Sequence, residues 1–253
     1  MADNATALLA AGCAVNVICG LVASAVYPTF PLRAKELTLS SWDTGSIIGC
    51  FSFSYMLACP MTGGLIAWTG SKPLTIAGLA LTAVSTIVLG YGYSAATLYA
   101  CRAIQGAGAA MAEVAVMALV TSRCPSESLG QVTARLELAQ GLGWVLGPPA
   151  AGVLLDVLTF ETTSLLGGSL VAAIALATAR LLLDVPHRAG QAGSPGEADE
   201  AGGGGPHGWA YTHTLLRPSV FAIACSIFTF ASAMGMMYSN LALHYADGPS
   251  QAS

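Results

Sequence analysis

Apolar residues run along this chain in long, nearly unbroken stretches, and the polar positions gather between them. A helix that crosses a bilayer takes about 20 mostly apolar residues. Seven stretches meet that length, at 6–27, 45–68, 74–93, 96–122, 132–155, 163–183 and 219–241. The pattern predicts an all-α membrane protein: a six-helix N-terminal bundle over 1–183, a linker over 184–217, and over 218–253 a seventh transmembrane helix that opens a truncated C-terminal bundle. The linker holds the run Gly202–Gly205 and the acidic stretch Glu197-Ala198-Asp199-Glu200, with almost no large apolar residues. Such a segment buries too little surface to fold and is expected to be disordered and cytosolic. The first stretch is expected to be a retained helix and not a cleaved leader, because no Lys or Arg precedes it and it outlasts a leader's apolar region.

Composition agrees. Of 253 residues, 55% are hydrophobic and only 9% charged, against about 25% charged in soluble domains. The 29 glycines suit closely packed membrane helices. A net charge of −4 leaves no basic footprint for nucleic acid. Seven cysteines form no CxxC pair and no His/Cys cluster, so neither a metal site nor a cofactor is expected. His187, His207 and His213 lie in or beside the linker and read as solvated. Lys72, Arg123, Arg180, Arg188 and Arg217 fall after spans two, four and six, whereas only Arg33 and Lys35 fall after the odd-numbered spans. Lys/Arg bias marks the cytosolic side, so the N-terminus and the linker are expected there.

Few ionisable residues lie inside the spans. Arg102 sits about two turns into span four, where a cation costs roughly 2.5–3.5 kcal/mol on insertion scales. It either snorkels outward or faces the protein interior, and the cost favours the interior. Gln105 and Gly106 follow on the same face. Glu113, eleven residues on, returns to nearly that face about 16 Å further along the axis. Glu113 then either joins Arg102 in a polar stripe along a water-filled pathway or pairs with a cytosol-side cation such as Arg135. Asn16 is the strongly polar residue deep in span one, placed to bond a neighbouring helix or to make a cavity polar. Glu137 lies near the cytosolic edge, two residues from Arg135. In span five Gly143 and Gly147 are one turn apart and admit a neighbouring backbone, while Pro148 and Pro149 remove two amide donors and bend the helix.

Two strings together resemble the major facilitator superfamily. Leu98-x-x-x-Arg102-x-x-Gln105-Gly106-x-Gly108-x-Ala110 is similar to that family's fourth-helix motif, and Gly143-x-x-x-Gly147-Pro148-x-x-x-Gly152 to the fifth-helix motif of its antiporters. Gly63-x-Leu65 and Gly70-Ser71-Lys72 resemble the motif between its second and third helices, except that Ala67 stands where the family usually has Asp. Tyr27-Pro28-Thr29-Phe30-Pro31, Ile48-Gly49-Cys50-Phe51 and Leu136-Glu137 before Gly141-Leu142-Gly143 resemble the vesicular amine transporter family, in particular its polyamine-transporter-like branch.

The resemblance implies two pseudo-symmetric six-helix bundles, alternating access, and exchange of protons for small organic solutes such as amines. Proton coupling would fall to Arg102 and Gln105, cavity polarity to Glu113, Asn16 and Glu137, and the moving interface to Gly106, Gly108, Gly143, Gly147, Pro148 and Gly152. Neutral-solute facilitation on the same fold remains an alternative. So does a seven-helix receptor or membrane scaffold, although the loop charges oppose a receptor's outside N-terminus.

Overall fold

The computed structural model describes residues 2–183, so the linker, its histidines and the seventh span lie outside the described residues. Six α-helices fill that stretch: α1 (Ala2–Glu36), α2 (Ser41–Thr69), α3 (Ser71–Gly90), α4 (Ala95–Thr121), α5 (Leu129–Val157) and α6 (Phe160–Leu183), with a single 3-10 turn at Ser126–Ser128. All six are long and apolar enough to cross a membrane, and the described residues hold no strand.

Short polar residues place the helix starts. Ser40 Oγ accepts the Asp43 amide at 3.1 Å, Ser94 Oγ accepts that of Thr97 at 3.2 Å, and Thr159 Oγ1 accepts that of Thr162 at 3.3 Å. Each hydroxyl satisfies an amide that the first helical turn leaves unpaired. Between α2 and α3 the chain reverses at Gly70, whose φ of 83° is the left-handed region open to glycine.

One expectation is corrected here. Arg33 and Lys35 are not loop residues, because α1 continues through Pro28 and Pro31 and ends only after them, at Glu36.

In packing, α1 lies against α5, α4 against both α2 and α3, and α3 against α6. Exchanging α1 with α4, α2 with α5 and α3 with α6 carries the α1–α5 contact onto α4–α2 and returns α3–α6 to itself. That is the signature of two inverted three-helix repeats. Val15, Val22, Leu79, Val116, Leu136 and Val171 centre the main core, and Phe30, Ile47, Leu98 and Phe160 belong to a second cluster. Large apolar side chains on α2 and α5, among them Met61, Trp68, Leu138 and Val145, stay exposed.

Candidate functional site

The site grows from α4, whose polar residues are held by three neighbouring helices. Arg102 is fully buried, with 0% of its surface exposed, which settles the choice between snorkelling and an inward position. Its Nη1 donates to Gln105 Oε1 at 2.5 Å. Gln105 Nε2 donates to Thr86 Oγ1 on α3 at 2.8 Å, and that hydroxyl donates to the Thr82 carbonyl at 2.6 Å. The guanidinium lies over the Phe51 ring of α2, 4.7 Å from its centroid, within the range of a cation–π contact. Arg102 Nε and Nη2 have no protein partner and are buried.

Glu113 belongs to a separate network. Its Oε2 accepts from the Tyr55 hydroxyl on α2 at 2.6 Å and from Gln140 Nε2 on α5 at 2.6 Å. No ion pair joins it to Arg135 among the described residues, which leaves that expected partnership unformed. The single stripe expected along α4 is therefore two networks. They meet on α2, where Phe51 under Arg102 stacks on Tyr55 beside Glu113, ring centroids 6.1 Å apart.

The remaining polar candidates lie elsewhere. Asn16 is buried and donates through Nδ2 to the Leu136 carbonyl of α5 at 3.0 Å, while its Oδ1 has no partner. Glu137 is exposed on α5.

Small residues set the spacing between these helices. A Cβ on Gly106 would strike the Phe51 carbonyl, and one on Gly108 would lie 2.8 Å from Thr82 Oγ1 of α3. A Cβ on Gly143 would strike the Val17 carbonyl of α1, and one on Gly147 the Ser24 hydroxyl. Gly152 meets nothing within 4 Å. The fifth-helix glycines thus do not share one surface: Gly143 and Gly147 seat α5 on α1 inside the bundle, and Gly152 faces open space. Helix α5 runs unbroken through Pro148 and Pro149.

Tyr55, Gln140 and Thr86 escaped the reading from sequence, since each is unremarkable within an apolar run, and Phe51 entered it only as part of a family string, without a role at the site. A further group also escaped it. At the other end of the bundle Arg33 Nη1 contacts Glu36 at 2.8 Å and Glu161 of α6 at 3.0 Å, with its guanidinium 5.1 Å from the Tyr93 ring centroid and 5.9 Å from that of Phe160. A cavity of about 360 Å³ lies beside it, lined by Thr29, Thr159 and both carboxylates.

The family model described as Major Facilitator Superfamily matches residues 12–251. Quinolone resistance protein NorA of Staphylococcus aureus is 29% identical over 132 residues, which are 52% of this chain and 34% of that protein. MFS-type transporter SLC18B1 of Rattus norvegicus is 26% identical over 171 residues, 65% of this chain and 37% of that protein. The matched stretch is thus about a third of the length of these relatives.

Proposed function

The chain belongs to the Major Facilitator Superfamily, and on that premise we propose that it is the first bundle of a proton-coupled exchanger of small organic cations that works by alternating access. Membership makes it a multi-pass membrane protein of a transporter family and not an enzyme. In the proposed cycle, Glu113 holds a solute ammonium in one access state and a proton in the other. A carboxylate suits that exchange because protonation removes its charge.

One observation carries the proposal: Glu113 is 8% exposed and its hydrogen-bond partners are two neutral groups. A buried carboxylate without a cation is costly. Structural carboxylates usually avoid that cost by pairing, as Glu161 does with Arg33. Both bonds to Glu113 fall on Oε2, and no donor among the described residues reaches Oε1. That oxygen is left for a solute cation or a proton. Arg102, with an unpaired buried guanidinium edge beside Gln105 and Thr86, would tune where the proton resides. The relative named for quinolone resistance supports drug-sized organic molecules as solutes alongside small amines.

Labelled amine uptake into proteoliposomes tests this, using a full-length form with its second bundle and an imposed pH difference. Glu113→Gln is expected to abolish most of the pH-driven uptake. Glu127→Gln, in the exposed 3-10 turn, is expected to leave it near wild type. Uptake that ignores the pH difference would instead favour a facilitator, and equal effects of the two variants would remove Glu113 from the mechanism.

A further inference from the structure

We propose that Tyr55 and Gln140 form a clasp over Glu113 that ties α2 to α5, and that a proton or solute cation arriving at Glu113 releases it. The inference rests on the reading of Glu113 as the exchange site and adds how occupancy of that site would become movement.

Helix α2 packs on α4, and α5 packs on α1, whereas α2 and α5 make at most marginal backbone contact with one another, and α4 touches α5 only slightly. What joins them is polar: the Tyr55 hydroxyl from one side and the Gln140 amide from the other converge on Glu113 Oε2, each at 2.6 Å. Bonds to an ionised acceptor are roughly twice as strong as neutral ones. The junction therefore holds firmly while the carboxylate is charged and loosens when a proton neutralises it or an ammonium shares its charge. The titratable and polar groups around Glu113 are Cys19 on α1, Tyr55 and Cys59 on α2, and Glu137 and Gln140 on α5. None of these is a cation that could hold the charge in place of an incoming one.

Backbone contacts locate the pivots. The Phe51 carbonyl of α2 sits on Gly106, and α5 is seated on α1 at Gly143 and Gly147. Beyond Tyr55, α2 is mostly exposed up to its end at Thr69. Within this bundle that stretch of α2 has little packing of its own, and the clasp holds it near its pivot. Because Phe51 stacks on Tyr55 and underlies Arg102, a shift of α2 at Tyr55 also disturbs the Arg102 network. The two α4 networks would thus respond together through α2, which contributes a residue to each.

Spin labels at Leu57 and Leu138, both exposed, report the α2–α5 distance by pulsed electron spin resonance in reconstituted full-length protein. The wild type is expected to give a shorter distance in alkaline than in acid buffer. Glu113→Gln is expected to hold the longer distance in both. Tyr55→Phe, which keeps the ring and its stacking, and Gln140→Leu are each expected to lose most of the pH-dependent change. A wild-type distance that ignores pH, or a full pH response in both Tyr55→Phe and Gln140→Leu, overturns the clasp. Uptake measured in the same preparations separates the two ideas. If uptake follows the pH difference and the distance does not, the clasp fails while the exchange reading stands. If the distance follows pH and uptake does not, the clasp stands and the exchange reading fails.

Discussion

Arg102 illustrates what a single residue can reveal in each medium. In a soluble protein an arginine followed three residues later by a glutamine is unremarkable, but inside an apolar span the charge alone marks the position. Its surroundings could not be read that way. Thr86, Phe51, Tyr55 and Gln140 are ordinary residues for packed membrane helices, and the bonds to Glu113 span 58 and 27 positions in sequence. Only the pairing of helices exposes them. Two features of Arg102 then make a prediction: the 2.5 Å bond to Gln105 and the position over Phe51. In the two-bundle exchanger proposed above, Arg102→Ala is expected to reach the membrane yet lose pH-driven uptake. Arg102→Lys is expected to recover only part, because an ammonium is a point charge without a planar face to stack on the ring. Surface quantification alongside proteoliposome uptake checks this. Normal pH-driven uptake in the Ala variant would refute the assignment.

At the scale of the element, six of the expected helices were legible because length and hydropathy alone define a span. Their ends were less so. An Arg and a Lys after two prolines read as loop, yet α1 keeps its helical path through both prolines to Glu36. Nor did the glycine spacing of α5 say which helix it faces. The inverted repeat supplies the reason for the observed choice: α5 seats on α1 as α2 seats on α4, with Gly20 against the Gln140 carbonyl and Gly106 against the Phe51 carbonyl. The motif therefore divides by energetic role. Gly143→Val and Gly147→Val push a side chain into the α1 backbone and are expected to destabilise by about 1–3 kcal/mol, the usual cost of overpacking. Gly152→Ala, with nothing within 4 Å, is expected to stay within about 0.5 kcal/mol of wild type. Thermal unfolding of the purified variants in detergent measures the difference. A Gly152→Ala loss as large as that of Gly143→Val would place an unseen partner against Gly152.

For the whole molecule, the way the bundle sits in its membrane decides the direction in which protons would drive exchange. The six helices alternate, so the α2–α3 and α4–α5 connections share one end, and the α1–α2, α3–α4 and α5–α6 connections share the other. Two contacts illustrate the grouping: Lys72 at the start of α3 donates to the Leu182 carbonyl near the end of α6 at 3.1 Å, and Arg33 near the end of α1 meets Glu161 at the start of α6. Lys72, Arg123 and Arg180 lie toward the first end, while Arg33 and Lys35 lie toward the second. Lys/Arg bias then predicts that the first end lies in the cytosol. In a background whose own cysteines are replaced, Glu127→Cys in the 3-10 turn and Thr159→Cys between α5 and α6 place one thiol at each end, both at exposed positions. A membrane-impermeant thiol reagent applied to sealed vesicles of known orientation is expected to label position 127 from the cytosolic face and position 159 from the opposite face. Labelling of both from one side would contradict the helix alternation itself. Labelling with the sides exchanged would leave the bundle intact but invert the expected orientation, and the gradient that drives uptake would have to be imposed the other way.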